Sequence, residues 1–226
     1  MKKSQTIIAI ALSVLSMQFS QAQDWPNLQR FQQDNAQVDA EKNINRVVFM
    51  GNSITEGWSR IHPEFFEGKE YINRGIGGQT TPQMLVRFRQ DVIDLKPKVV
   101  VILAGINDIA GNTGPSTQKM ITDNIFSMAE IAQANGIEVL ICSVLPAADF
   151  PWRPGMEPAQ KVVDLNQALS AYAQENNHTY VDYFSAMVND KNGLKDELGT
   201  DGVHPNKAGY LVMEPILEAA LKKVFR

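Results

Sequence analysis

The chain has 226 residues, of which 44% are hydrophobic and 20% charged, and a formal net charge of −4. Those are ordinary globular values, which exclude disordered, fibrous and multi-span membrane classes, and the acidic balance argues against a nucleic-acid partner, whose phosphates call for Lys and Arg. The single cysteine, Cys142, excludes an internal disulfide and any cysteine-cluster metal site.

The chain opens on MKKSQTIIAIALSVLSMQFSQAQ: two lysines, an apolar stretch over 7–15, then small residues at Ser20 and Ala22. This is the pattern of a secretory signal, with cleavage expected after Ala22 and a mature chain from Gln23. The apolar stretch falls short of the roughly 20 residues that span a bilayer, and no cysteine lies nearby to take a lipid. We therefore expect an exported protein, periplasmic or secreted, without a stable membrane anchor. Loss of Lys2 and Lys3, with no acid in the first 22 residues, moves the charge from −4 to −6. Residues 23–226 read as one domain, since no repeat, linker or low-complexity tract divides them.

After a polar leader over 23–45, strand-like and helix-like segments alternate. RVVFMG (46–51), YINRGI (71–76), VVVILAG (99–105), EVLICSVL (138–145) and TYVDYF (179–184) are short, rich in β-branched or aromatic residues, and bounded by turn formers. Cys142 falls in the fourth run and is expected to be buried. Between them, TPQMLVRFRQDVIDL, STQKMITDNIFSMAEIAQANG and PAQKVVDLNQALSAYAQEN carry apolar residues at helical spacing, and Gly136 supplies a stop for the second. NKAGYLVMEPILEAALKKVF closes the chain as a helix that Pro215 should bend or break. Repeated βα units imply a parallel sheet between helices, a three-layer α/β/α sandwich, and for five strands the usual flavodoxin-like order is 2-1-3-4-5.

In that order the chain switches winding direction beside the first strand, where ligands gather. Ser53, in VVFMGNSITEGW, lies just past that strand's carboxyl end. It can be a helix cap, a phosphate ligand or a nucleophile. A nucleophilic serine needs a base, and the base needs a partner to fix its tautomer. Of three histidines, His62 and His178 fall before the second and fifth strands, at the opposite edge of the sheet, so only His204 can reach Ser53. Asp201 lies three residues before it and can pair with Nδ1, leaving Nε2 for the serine; Pro205 is placed to open the last helix. Acyl transfer also needs donors for a developing oxyanion. Gly78, preceded by Gly77, can offer its N–H, Asn107 its side-chain amide, and Ser53 its own N–H. Read alone, the glycines make a turn, Asn107 caps a helix, and Asp201 caps a turn with His204 in solvent.

Taken together and in order, GNSITEGW, NRGIGGQTT, GINDIAGN and DGVHPNKAG resemble the SGNH/GDSL family of serine esterases and lipases, over about residues 46–210. INRGIGGQTT brings the chain nearest to the branch of platelet-activating-factor acetylhydrolase-like and lysophospholipase-like members. The resemblance implies the SGNH hydrolase fold, Ser53 as nucleophile, His204 as general base, Asp201 as its orienting acid, an oxyanion hole of Ser53, Gly78 and Asn107, and neither metal nor organic cofactor. The family's first block usually reads Gly-Asp-Ser, and Asn52 stands here in place of that aspartate, a departure that bears on loop packing.

The loop ADFPWRPGM after the fourth strand is the variable wall. Phe150 and Trp152 can stack on a sugar or cover an acyl chain and Arg153 can meet an anion, or Trp152 packs a turn against the last helix. Arg74 either faces substrate or pairs with an acid to hold its loop. The expected substrate is a small-molecule or glycan ester, with removal of acetyl groups from carbohydrate the leading reading and lysophospholipid or thioester hydrolysis its alternative. A flavodoxin-like phosphate or flavin binder, with Ser53 and Thr55 at the helix terminus, and an inactive glycan-binding module are the non-hydrolase readings. Oligomeric state is not written in these motifs.

Overall fold

The computed structural model describes residues 24–42 and 45–225, so the expected signal sequence lies outside the described residues. In chain order these build α1 (Gln32–Gln37), β1 (Val47–Gly51), α2 (Ser53–Ile61), β2 (Tyr71–Gly75), α3 (Thr81–Asp91), β3 (Val99–Leu103), α4 (Ile106–Ile109), α5 (Gln118–Ala134), β4 (Glu138–Cys142), α6 (Pro158–Glu175), β5 (Thr179–Val181), α7 (Phe184–Met187) and α8 (Lys207–Val224). The five strands form one parallel sheet in the order β2-β1-β3-β4-β5, as the alternation implies. Val47 aligns with both Tyr71 and Val99, so β1 and β3 end level and deliver their following loops to one edge.

Every residue of β1 and β3 is buried, which is why both read as unbroken apolar runs rather than alternating ones. Helices α3, α5 and α6 pack side by side on one face, while α2 and α8 meet on the other. There Trp58 stacks between Phe65 and Tyr210, with ring centroids 5.1 and 5.3 Å away, and Phe49 of β1 meets its edge. Cys142 ends β4 and is buried, as expected.

Two strand ends and one helix interior depart from the sequence pattern. The fourth run stops pairing at Cys142 because Asn166 of α6 takes over the backbone of Val144, accepting from its N–H at 2.7 Å and donating to its carbonyl at 2.9 Å. The fifth stops at Val181 because the N–H groups of Tyr183 and Phe184 donate to the Ser143 hydroxyl, both at 2.9 Å. Helix α8 runs unbroken through Pro215. The missing N–H removes one rung, but Tyr210, Met213, Leu217 and Leu221 hold both halves in the core. Gly136 ends α5 region with a φ of 70°, the left-handed stop its position suggests.

Candidate active site

The chain turns from β1 into α2 over two residues, and the cap and the hydroxyl are divided between them. Asn52 is the N-cap, its side-chain oxygen accepting from the Ile54 N–H at 3.1 Å. Ser53 is thereby released from capping and opens the helix with its own N–H unpaired by the helix ladder. The turn is this tight because Gly51 and Gly75 let α2 press onto two strands: a Cβ on Gly51 would lie 2.0 Å from the Thr55 hydroxyl, and one on Gly75 2.2 Å from the Glu56 nitrogen.

The Ser53 Oγ lies 2.9 Å from Nε2 of His204, 151 residues away in sequence. Asp201 Oδ2 lies 2.7 Å from the other ring nitrogen, Nδ1. An ionised carboxylate only accepts, so Nδ1 carries the proton and Nε2 is left as the acceptor for the serine hydroxyl. Asp201 is itself fixed by the N–H groups of Val203 and His204, which donate to Oδ1 at 3.0 and 2.8 Å. Burial pushes this carboxyl up, but those hydrogen bonds and the imidazole outweigh it and hold it below the ordinary value. Pro205 does not open α8; Asn206 caps it, accepting from the Gly209 N–H at 3.0 Å.

The two expected oxyanion donors share one loop system. Gly78 has a φ of 76°, and its N–H donates to no group among the described residues. Its carbonyl accepts from Asn112 at 3.1 Å, and the preceding Gly77 N–H is tied to Glu56 of α2 at 3.0 Å. Asn107, buried on α4, spends one amide hydrogen on the Gln79 carbonyl at 2.9 Å and keeps another. The next residue, Asp108, accepts from the Thr81 N–H at 3.0 Å and the Thr81 hydroxyl at 2.6 Å, joining α4 to the start of α3. Burial pushes its carboxyl up to about 6, against the lowering effect of the Thr81 hydroxyl and N–H.

Several supports carry no sequence motif. The Tyr210 hydroxyl donates to the Ile54 carbonyl at 2.8 Å, and Glu214 takes the Trp58 indole N–H at 3.1 Å and faces His62 Nδ1 at 2.6 Å. The helix that follows His204 is thus latched to the helix that begins with Ser53. Beneath the turn, fully buried Arg87 donates to Gln79 at 2.6 Å, Asp91 at 3.0 Å and the Gly51 carbonyl at 3.1 Å. The Arg87-to-Asp91 spacing of four is a helical ion-pair signal, but nothing in it announces burial.

The undecided residues of the loops now separate. Phe150 is fully buried and cannot meet a ligand. Trp152 is 45% exposed, its ring 5.7 Å from that of His204. Arg153 braces the α4 loop, donating to the carbonyls of Ala110 and Gly111 at 2.7 and 2.8 Å. Arg74 is buried and turned inward to Asn35 at 2.8 Å, so it holds its loop through an amide rather than an acid. His62 pairs with Glu214, and His178 has an Nε2 with no partner among the described residues; neither joins Ser53. Thr55 is buried, which withdraws it from any phosphate at the α2 terminus.

The fold and sequence have extensive relatives. The crystal structure of a candidate acylhydrolase from Bacteroides fragilis is 52% identical, covers 89% of this chain and 99% of its own, and superposes with a TM-score of 0.87. A GDSL-like lipase from Bacteroides thetaiotaomicron is 48% identical, with coverage of 88% and 98% and a TM-score of 0.86. The acetylxylan esterase of Xylanibacter ruminicola is 25% identical over 213 residues, covering 78% of this chain and 43% of that one. The chain therefore spans about half the length of the first sequence relatives it matches. The sequence model of the GDSL-like lipase/acylhydrolase family matches residues 49–212, and the chain belongs to that family.

Proposed function

We propose that the protein is an exported serine ester hydrolase that removes short acyl groups, acetyl foremost, from carbohydrate esters through an acyl-enzyme. The observation that carries this reading is the hydrogen-bonded series from Ser53 Oγ through His204 to Asp201. In the first half-reaction Nε2 takes the hydroxyl proton as Oγ bonds to the ester carbonyl carbon. The carbonyl oxygen becomes an anion, received by the N–H groups of Gly78 and Ser53 and the free amide hydrogen of Asn107. Each such donor is worth about 3–4 kcal/mol of barrier lowering. As the intermediate collapses, the ester C–O bond breaks and Nε2 gives its proton to the departing alcohol. Water then attacks the acyl-serine, loses its proton to Nε2, and the free acid leaves as Ser53 Oγ regains the proton.

The carbohydrate reading draws on the acetylxylan esterase relative. Export follows from the signal pattern over 1–22, and no described helix is long and apolar enough to cross a membrane. Residues 23–226 act as one hydrolase domain in this reading, on a small-molecule or glycan ester. Hydrolysis of p-nitrophenyl acetate tests it: Ser53→Ala is expected to lower kcat by at least about 10³-fold without change in the circular dichroism spectrum. Full activity in that variant rejects the assignment.

A further inference from the structure

During ester cleavage the protonated Nε2 of His204 must hand its proton to the leaving oxygen, so whatever that oxygen is attached to lies beside the imidazole. The aromatic surface standing there is Trp152. Its ring centroid is 5.7 Å from the imidazole centroid at 41°, and 45% of the residue is open to solvent. The ring is held rather than adrift. Buried Phe150 packs against it at 5.3 Å, and the next residue, Arg153, is fastened to two carbonyls of the α4 loop. A large apolar ring kept exposed and oriented next to a proton donor is a platform for a flat-faced ligand.

A cleft of about 590 Å³ adjoins this point: its lining includes Pro151, the residue before Trp152, and Asp201, the partner of His204, with Gly202. This is within the roughly 300–1,000 Å³ of small-molecule sites. Its lining decides between leaving groups. The lining holds Asp149, Asp190, Asp196, Glu197 and Asp201 with Lys191 and Lys195, three negative charges in excess. The side chains of Asp190, Asp196 and Glu197 make no hydrogen bond or ion pair among the described residues. A phosphodiester headgroup would be repelled by these carboxylates, whereas neutral hydroxyls can donate to them.

We propose that Trp152 and this cleft form the leaving-group subsite, and that its occupant is a neutral saccharide whose ring stacks on Trp152 while its hydroxyls donate to the cleft carboxylates. This deepens the esterase reading and rests on it. The test compares kcat/KM for an O-acetylated xylo-oligosaccharide with that for ethyl acetate, whose alcohol is too small to span to Trp152, and with that for an acetyl-glycerophospholipid. The wild-type protein is expected to prefer the sugar ester to both. Trp152→Ala should lower the sugar-to-ethyl-acetate ratio at least roughly fivefold, and Trp152→Phe should restore part of it. A second measurement titrates the deacetylated oligosaccharide into Ser53→Ala by calorimetry, with binding expected there and lost when Trp152→Ala is added. An unchanged ratio, loss of both ester activities in equal measure, or preference for the phospholipid overturns the subsite. No hydrolysis of any ester by the wild-type protein instead rejects the esterase reading beneath it.

Discussion

Asp201 uses its two oxygens differently: Oδ1 closes the turn by accepting two N–H groups, and Oδ2 faces the imidazole. Replacement by Asn keeps an oxygen for the turn but presents an N–H to Nδ1. The ring then takes the opposite tautomer, with its proton on Nε2, and can no longer accept from Ser53. We expect Asp201→Asn to lower kcat by about 10³- to 10⁴-fold, as the loss of an orienting carboxylate does elsewhere, with a smaller change in KM. The same carboxyl has a pH signature. Its folded value lies below the ordinary 3.8 despite the opposing push of burial, so its contribution to stability is present above 3.8 and is lost as pH falls through the folded value. Acid denaturation followed by circular dichroism should therefore steepen below pH 4 in the wild-type protein and less so in Asp201→Asn. Equal acid sensitivity in the two proteins would show that the turn does not depend on the charge.

At the scale of elements, the site exists because short helices are pinned at their ends. Asn107 sits on four-residue α4, too short to hold itself, and Asp108 anchors that helix to the N-terminus of α3 through Thr81. The sequence motif GIND drew attention to its asparagine, while the following acid is what fixes the asparagine's place. Because burial lifts Asp108 to about 6, the folded state keeps a proton that the unfolded state loses from 3.8 upward. The stability owed to this group is thus largest below 3.8, declines as pH rises to about 6, and is level above that. The window corresponds to an order of 3 kcal/mol for a group this buried. In urea titrations the wild-type protein should lose stability relative to Asp108→Asn between pH 4 and pH 7 by up to that amount. A difference that does not vary with pH would place Asp108 in its charged form throughout. Comparing each variant with itself across pH separates this effect from the constant cost of the changed hydrogen bond to Thr81.

Across the whole molecule, strand order and the meeting of Ser53, Asp201 and His204 were legible because buried parallel strands have an apolar signature and their carboxyl ends share one edge. The pieces that brace this meeting were not, because a polar side chain looks the same in sequence whether it faces water or a carbonyl. Nothing in the sequence marks Arg87 of α3 as fully buried, and nothing in the polar leader marks its attachment to the loop over 77–80 and to α3. Three glutamines do the strapping: Gln83, Gln79 and Gln90 donate to the carbonyls of Trp25, Pro26 and Leu28 at 2.6, 2.7 and 2.6 Å. Phe31 is the apolar anchor, buried, with the Arg74 guanidinium 4.7 Å from its ring centre. Gln79 also accepts from Arg87 and, through its carbonyl, holds Asn107. The leader and the loop over 77–80 are therefore one cooperative unit, and loosening one should loosen the other. We expect Phe31→Ala to cost about 3 kcal/mol of unfolding free energy in urea, with faster amide hydrogen exchange at residues 77–80 as well as in the leader. Faster exchange confined to the leader would mean that the loop over 77–80 stands without it, and the strap would then have no part in holding Gly78 and Asn107.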